Sequence, residues 1–389
     1  MLKTITQENN ILLILSTIIL NYILFLSSSL LILIKLNFIL FIFFTFNYFF
    51  KYEKNKFLIF FLLALIIISL GTSTDSWDAR SIWIFKAKEF FYDHSIISVK
   101  NNYAEFSHNN YPSIAPAFTA SLSTLIGYWN EIYPKAGLTL MFIPPLIIIS
   151  RFFDNNFFLI SISIILFIIG KFLVNGELDG LVALYFVSSL IIIYNLKNLN
   201  YDIFKQYLCL IFFLIILSLL KTEGAALLLC TFIGSILTFY KNKDLCKKLI
   251  ISFFFSIIPV LMWNYFCIYN NIGNTNNNYI FDINNFNYRI LYLENYILIF
   301  ESLLLNEKFL FGLIVFLSSA IYVKNRNIFI YVSSISLIYI LFLFIIYLST
   351  PLDLEWHLNS ANRIIKPIAL FLSIFSLYNI LNKEHKYNA

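Results

Sequence analysis

Long apolar runs recur from one end of the chain to the other, separated by short polar connections and by three longer ones. A helix needs about 20 largely apolar residues to cross a bilayer, and a lone segment in lipid has no other way to satisfy its backbone. The pattern therefore predicts an all-α polytopic membrane protein with about 12 transmembrane helices, within a range of about 11–13. They fall near 11–30, 33–50, 57–73, 136–150, 155–173, 178–195, 206–221, 224–240, 249–268, 308–323, 327–349 and 364–381. The first run is too long for the apolar region of a signal peptide and lacks a small-x-small cleavage site, so it reads as a span. No internal repeat or low-complexity linker divides the chain, and residues 1–389 read as a single transmembrane domain.

Composition excludes the other broad classes. With 60% hydrophobic residues, 12% charged residues and a mean hydropathy of +0.81, a soluble fold could not hide its apolar surface. The wealth of aromatic and aliphatic side chains also excludes disorder. Cys209, Cys230, Cys246 and Cys267 stand singly in or beside apolar runs, so neither a disulfide framework nor a zinc site is expected. The net charge is +6, yet the basic residues form no aromatic-interleaved patch, and no nucleic acid partner is expected.

The placement of charge predicts orientation. With the N-terminus inside, the inner loops and termini hold fifteen basic and six acidic residues, among them the KNKDLCKK run at 241–248. The other side holds twelve basic and fifteen acidic residues. Short cytoplasmic loops are rich in Lys and Arg, so both termini are expected in the cytoplasm of a multi-pass protein of the cell's inner (plasma) membrane. Residues 74–135, 269–307 and 350–363 then form three long outer loops that carry most of the acids, which points to chemistry at the outer face.

The first outer loop opens with TDSWDARSIWIFKAKEFFYDHSI at 74–96. Trp83, Ala87, Phe90 and Phe91 recur at helical spacing, predicting an interfacial helix from which Lys86 and Lys88 reach lipid phosphates. Asp75 and Asp78 stand just outside the third span. Asp78 could serve as a helix cap, and Trp77 and Trp83 could be aromatic-belt anchors. Further on comes HNNYPSIAPAFTASL at 108–122, an apolar segment opened by two prolines.

A carboxylate just outside the membrane in a WDA..IW..KAK.F pattern, followed by H.xYP...P, resembles the GT-C superfamily of membrane glycosyltransferases. The resemblance is to the glycosyltransferase family 39-like branch of protein mannosyltransferases and aminoarabinose transferases. It covers residues 70–370 loosely and is specific only in these short motifs. The family's usual Asp-Glu dipeptide is absent, and two additional spans precede the loop. The resemblance implies a helical GT-C-like fold and a polyprenyl-phosphate-linked sugar as donor. Membrane lipid would surround the site, and the acceptor would be a lipid, glycan or protein. No cofactor is strictly required, and a divalent cation is left open.

In this frame Asp78, or Asp75, is the catalytic carboxylate. Glu177 and Asp179, in the glycine-flanked turn VNGELDG, would hold the acceptor or a cation, with a plain polar turn as the simpler reading. Lys221 and Glu223 in LLKTEGAALL lie near hydrocarbon depth, where charges pair with each other or face a polar site. The resemblance puts them near the carrier phosphate. In TPLDLEWHLNSANRIIKP, Arg363 suits a phosphate through its planar fork of donors, and His357 and Lys86 complete the donor-binding set. Trp77, Trp83, Tyr111 and Trp356 are candidates for stacking on sugar. The segment 288–305 reads as an interfacial helix over the groove. The reaction implied is inverting transfer with an Asp general base. The alternatives are a polytopic transporter or lipid-linked sugar flippase, and an assembly component without chemistry of its own.

Overall fold

The structure, a computed structural model, describes residues 9–28, 30–53, 55–101, 103–104, 107–196, 203–272, 281–322 and 326–387. Residues 1–8 and the connections 197–202, 273–280 and 323–325, on which part of the expected charge pattern and of the second outer loop falls, lie outside them.

Among the described residues the chain forms α-helices and no strand. The first group is α1 (Asn9–Leu26), α2 (Leu31–Lys51), α3 (Lys56–Gly71), α4 (Ile84–Asp93), α5 (Ile114–Ile126), α6 (Tyr133–Leu140), α7 (Ile143–Phe152) and α8 (Asn155–Ile168). The central group is α9 (Asp179–Leu196), α10 (Ile203–Leu220), α11 (Thr222–Phe239) and α12 (Lys243–Tyr269). The last is α13 (Ile283–Arg289), α14 (Leu293–Leu304), α15 (Glu307–Tyr322), α16 (Arg326–Ser349), α17 (Leu354–Leu358), α18 (Ala361–Ile364) and α19 (Lys366–Tyr387).

Eight stretches among the described residues are long and apolar enough to cross a membrane, with a ninth if α14 and α15, bent by 72°, count as one span. The chain is a multi-pass helical membrane protein. Three of the spans expected from sequence, at 57–73, 155–173 and 206–221, correspond to the shorter apolar helices α3, α8 and α10. Hydropathy shows that a segment avoids water, but helix length depends on where capping and tertiary contacts stop it.

Helix α9 is the hub. It is apolar all round and 94% of its span is buried, with α7, α10, α11 and α19 packed against it. Its polar side chains serve the neighbouring proline-broken helix. Pro145 has no N–H to give the carbonyl of Met141, and the Tyr185 hydroxyl donates to that carbonyl at 3.1 Å. Ser188 likewise donates to the carbonyl of Pro145 at 3.0 Å. Buried lysines close other helix ends in the same way. Lys366 donates to Ile168 O at 2.9 Å, and Lys135 reaches the carbonyls of Thr72 and Ser73 at the end of α3.

The first outer loop is more deeply built in than its sequence implies. Its apolar segment is α5, buried between α1, α2, α4 and α6, with the Phe118 ring 4.9 Å from that of Phe41. Pro116 lies in the first turn, where its missing N–H breaks no helix bond.

The joint between α10 and α11 is a single extended residue, Lys221 (φ −159°, ψ 161°), and the helices turn back on each other there. The close approach depends on Gly224, where an added Cβ would lie 2.0 Å from Leu217 O. Gly224→Ala is expected to destabilise the fold by at least about 1–3 kcal/mol, because a backbone oxygen must move. Thermal unfolding of the variant in detergent checks this; an unchanged midpoint would mean the joint opens freely.

Candidate functional site

Six charged side chains from distant parts of the sequence meet at one end of the bundle. Asp78 lies in the first turn leading into a short π-helix, Ala79–Trp83, that continues as α4. It makes no side-chain capping bond. Instead its carboxylate accepts from Arg363 of α18, 285 residues away. Glu177 comes from the turn between α8 and α9. Gly176 gives that turn its left-handed bend (φ +88°), and a Cβ there would sit 3.2 Å from that of Ala79, so the turn is pressed against the start of the Asp78 helix. Asn175 locks the turn by donating to Glu177 Oε1 at 2.8 Å. The other oxygen of Glu177 lies 3.5 Å from Arg363.

Behind this pair, Lys221 stands between two carboxylates, Asp179 at 3.2 Å and Glu223 at 3.1 Å. The pairing of Lys221 with Glu223 weighed in the sequence is present, and Asp179 shares it. Asp179, Lys221, Glu223 and Arg363 line a small recess with Val182, Tyr339, Ile364 and Pro367. Tyr339 braces it by donating to Ile364 O at 3.0 Å.

Accessibility divides the cluster. The side chains of Lys221, Glu177 and Asp179 are 5%, 6% and 7% exposed, whereas those of Asp78, Glu223 and Arg363 are 18%, 25% and 31% exposed. The second group can meet a ligand, and the first holds it in place. Carboxyl groups outnumber cations four to two, so the site favours positive charge developing on a bound group. Burial, and then the charge of Asp179, holds the Glu177 carboxyl above its usual range. The folded chain thus keeps this proton more tightly than the unfolded chain does. Its contribution to stability is complete below the ordinary carboxyl range and falls as pH rises through the raised titration. Glu177→Gln is expected to flatten that fall, measured as the thermal midpoint against pH.

Other expected residues stand elsewhere. Asp75 is exposed and faces Lys135 electrostatically, so of the two candidate carboxylates only Asp78 joins the cluster. Lys86 does not reach lipid phosphate: it is fully buried and donates to the carbonyls of His108 at 2.7 Å and Tyr111 at 3.3 Å. Trp83 is unavailable to a sugar, because it is 1% exposed and stacked on Tyr111. The apolar stripe that predicted the helix turned it inward onto the bundle. Trp77 and Trp356 are exposed, and Tyr111 is half-buried. His357 packs edge-on against Tyr347 at 4.9 Å and belongs to no ion pair of the cluster. Among the described residues, no group of three His, Cys, Asp or Glu side chains is arranged to hold a metal ion.

The expected interfacial segment is α13 and α14. Arg289 clasps the loop leading to α17 by donating to Thr350 O and Leu352 O, each at 2.7 Å, and α14 packs on α17 and α18, the latter carrying Arg363.

The fold and site define a multi-pass helical membrane protein with a buried ionic cluster opening at one end of its bundle. No family model, curated protein or solved structure matches the chain.

Proposed function

We propose that the protein is a membrane glycosyltransferase that moves a sugar from a polyprenyl-phosphate carrier to a hydroxyl or amine of a lipid, glycan or protein acceptor. The observation that carries this reading is the partly exposed Asp78–Arg363 pair, a proton acceptor beside a phosphate-binding fork. It lies next to a surplus of carboxylate, in a chain whose motifs resemble GT-C enzymes. The apolar runs of the sequence support about 12 spans, and the charge pattern supports cytoplasmic termini and a site on the outer face of the plasma membrane. Helix α11, 18 residues and about 27 Å long, separates the cluster from the Lys-rich run at 241–248.

In this mechanism the carrier phosphate takes Arg363, which frees the Asp78 carboxylate. Asp78 then accepts the proton of the attacking hydroxyl as its oxygen bonds to the anomeric carbon. The bond from that carbon to the phosphate oxygen breaks, and the electron pair leaves with the polyprenyl phosphate. Arg363 neutralises the departing charge, while Glu223 and Asp78 favour the positive charge on the sugar ring. Glu177, Asp179 and Lys221 hold these groups in position.

Labelled polyprenyl-phosphate sugars supplied to membranes with and without the protein test the reading. A new labelled lipid, glycan or protein is expected. Label that accumulates in vesicles without covalent change would sink it in favour of transport. Full function with alanine at Asp75, Asp78 and Asp179 together would favour a scaffold.

A further inference from the structure

The turn at 108–111, which leads into α5, is held with unusual tightness. Three of its carbonyls are taken by side chains from two helices. Lys86 of α4 donates to those of His108 and Tyr111, and the Trp263 indole of α12 donates to that of Asn110 at 2.8 Å. Asn109 adds a bond to Tyr103 O at 3.0 Å. His108 itself has φ +46°, in the left-handed region that side chains other than glycine rarely occupy and that surrounding structure must enforce. Its ring lies flat on Tyr111 (4.8 Å, 15°), and Tyr111 lies on Trp83 (5.8 Å, 24°). Trp83 is five residues beyond Asp78, so the stack packs on the helical segment that begins at the carboxylate.

We propose that this turn is a wall of the site, presenting the His108 imidazole to hydroxyls of the transferred sugar, and that Lys86 is the positioning residue that holds it there. The inference rests on the reading of the site as a transferase. Groups of the cluster act on both rings. Asp78, Lys221 and Glu223 bear on His108 together with Lys86, and the same three with Arg363 bear on Tyr111. Burial, then the charge of Lys86, keeps the imidazole below its ordinary value and therefore neutral at pH 7, able to donate through one nitrogen and accept through the other.

The test uses the full chain in nanodiscs, with nitrogen-labelled histidine titrated by NMR and transfer measured from a polyprenyl-phosphate sugar. His108 is expected to titrate below the ordinary imidazole value. Lys86→Met should move it up, by removing a cation, and Asp78→Asn should move it down, by removing an anion. A titration that ignores Asp78→Asn overturns the wall. His108→Gly tolerates the backbone and lacks the ring. It is expected to stay folded and to lower kcat/KM about ten- to hundredfold, the worth of one hydrogen bond to a reacting ligand. Transfer at the wild-type rate overturns the role of His108. Should Lys86→Met fail to fold, Trp263→Phe loses only the second clamp. It is expected to lower kcat with little change in KM, and an unchanged kcat overturns positioning. A wild type without transfer sinks the transferase reading instead, and the titration then decides the wall by itself.

Discussion

Changing Asp78 to Asn is expected to lower glycosyl transfer about 10²–10⁴-fold while the chain still folds and inserts. Asparagine keeps the shape and the hydrogen bond to the guanidinium but cannot take a proton. Arg363 keeps Glu177 at 3.5 Å, so no buried charge is orphaned. The comparison that isolates the chemistry is Asp75→Asn, three residues earlier on an exposed stretch, which is expected to transfer within a few-fold of wild type. Initial rates at saturating donor, normalised to folded protein, decide between them. Full activity in Asp78→Asn would remove this carboxylate from the reaction. Equal losses in both variants would show that the loop matters as a whole and the proton acceptor lies elsewhere.

Lys221→Met is expected to be the most destabilising single substitution in the cluster. It removes the cation from between Asp179 and Glu223, whose contacts at 3.2 and 3.1 Å are made where the lysine side chain is 5% exposed. Stripping one partner from a buried ion pair costs about 3–5 kcal/mol, because the remaining charge keeps its desolvation penalty without compensation. Low yield or a sharply lowered unfolding temperature in detergent is the expected outcome. Adding Asp179→Asn to the same chain should recover a large part of the loss, since the uncompensated carboxylate then disappears. If Lys221→Met alone were as stable as wild type, the ammonium would not be what holds the ends of α9, α10 and α11 together. A lysine at that joint would then be free to serve a ligand instead.

The contrast between Asp78 and Lys86 shows how far a sequence of this kind can be read. Both sit in WDARSIWIFKAK, and both stand out as charges in an apolar context. A helix with its apolar stripe at Trp83, Ala87, Phe90 and Phe91 was legible; the first three are buried and Phe91 is half-buried. The direction in which that helix faces was not. Once it packs against α5, Lys86 points inward to two carbonyls, and Trp83 is covered by Tyr111. Asp78 had the local features of a cap and became half of an ion pair with a residue 285 positions away. His108 was visible only as the first letter of a motif, because its left-handed backbone and its neighbours come from contacts with α4 and α12.

By itself the sequence determined the class of protein, because avoidance of water is a property of each segment and adds along the chain. It also marked Asp78, Glu177, Asp179, Lys221, Glu223 and Arg363, since a charge in an apolar context is costly wherever the segment ends up. Which of these meet, which stay accessible and which only brace the others was decided by the tertiary structure alone. Ion pairing falls off over a few ångströms, and those distances are set by how α9, α10, α11 and α18 pack, not by spacing along the chain.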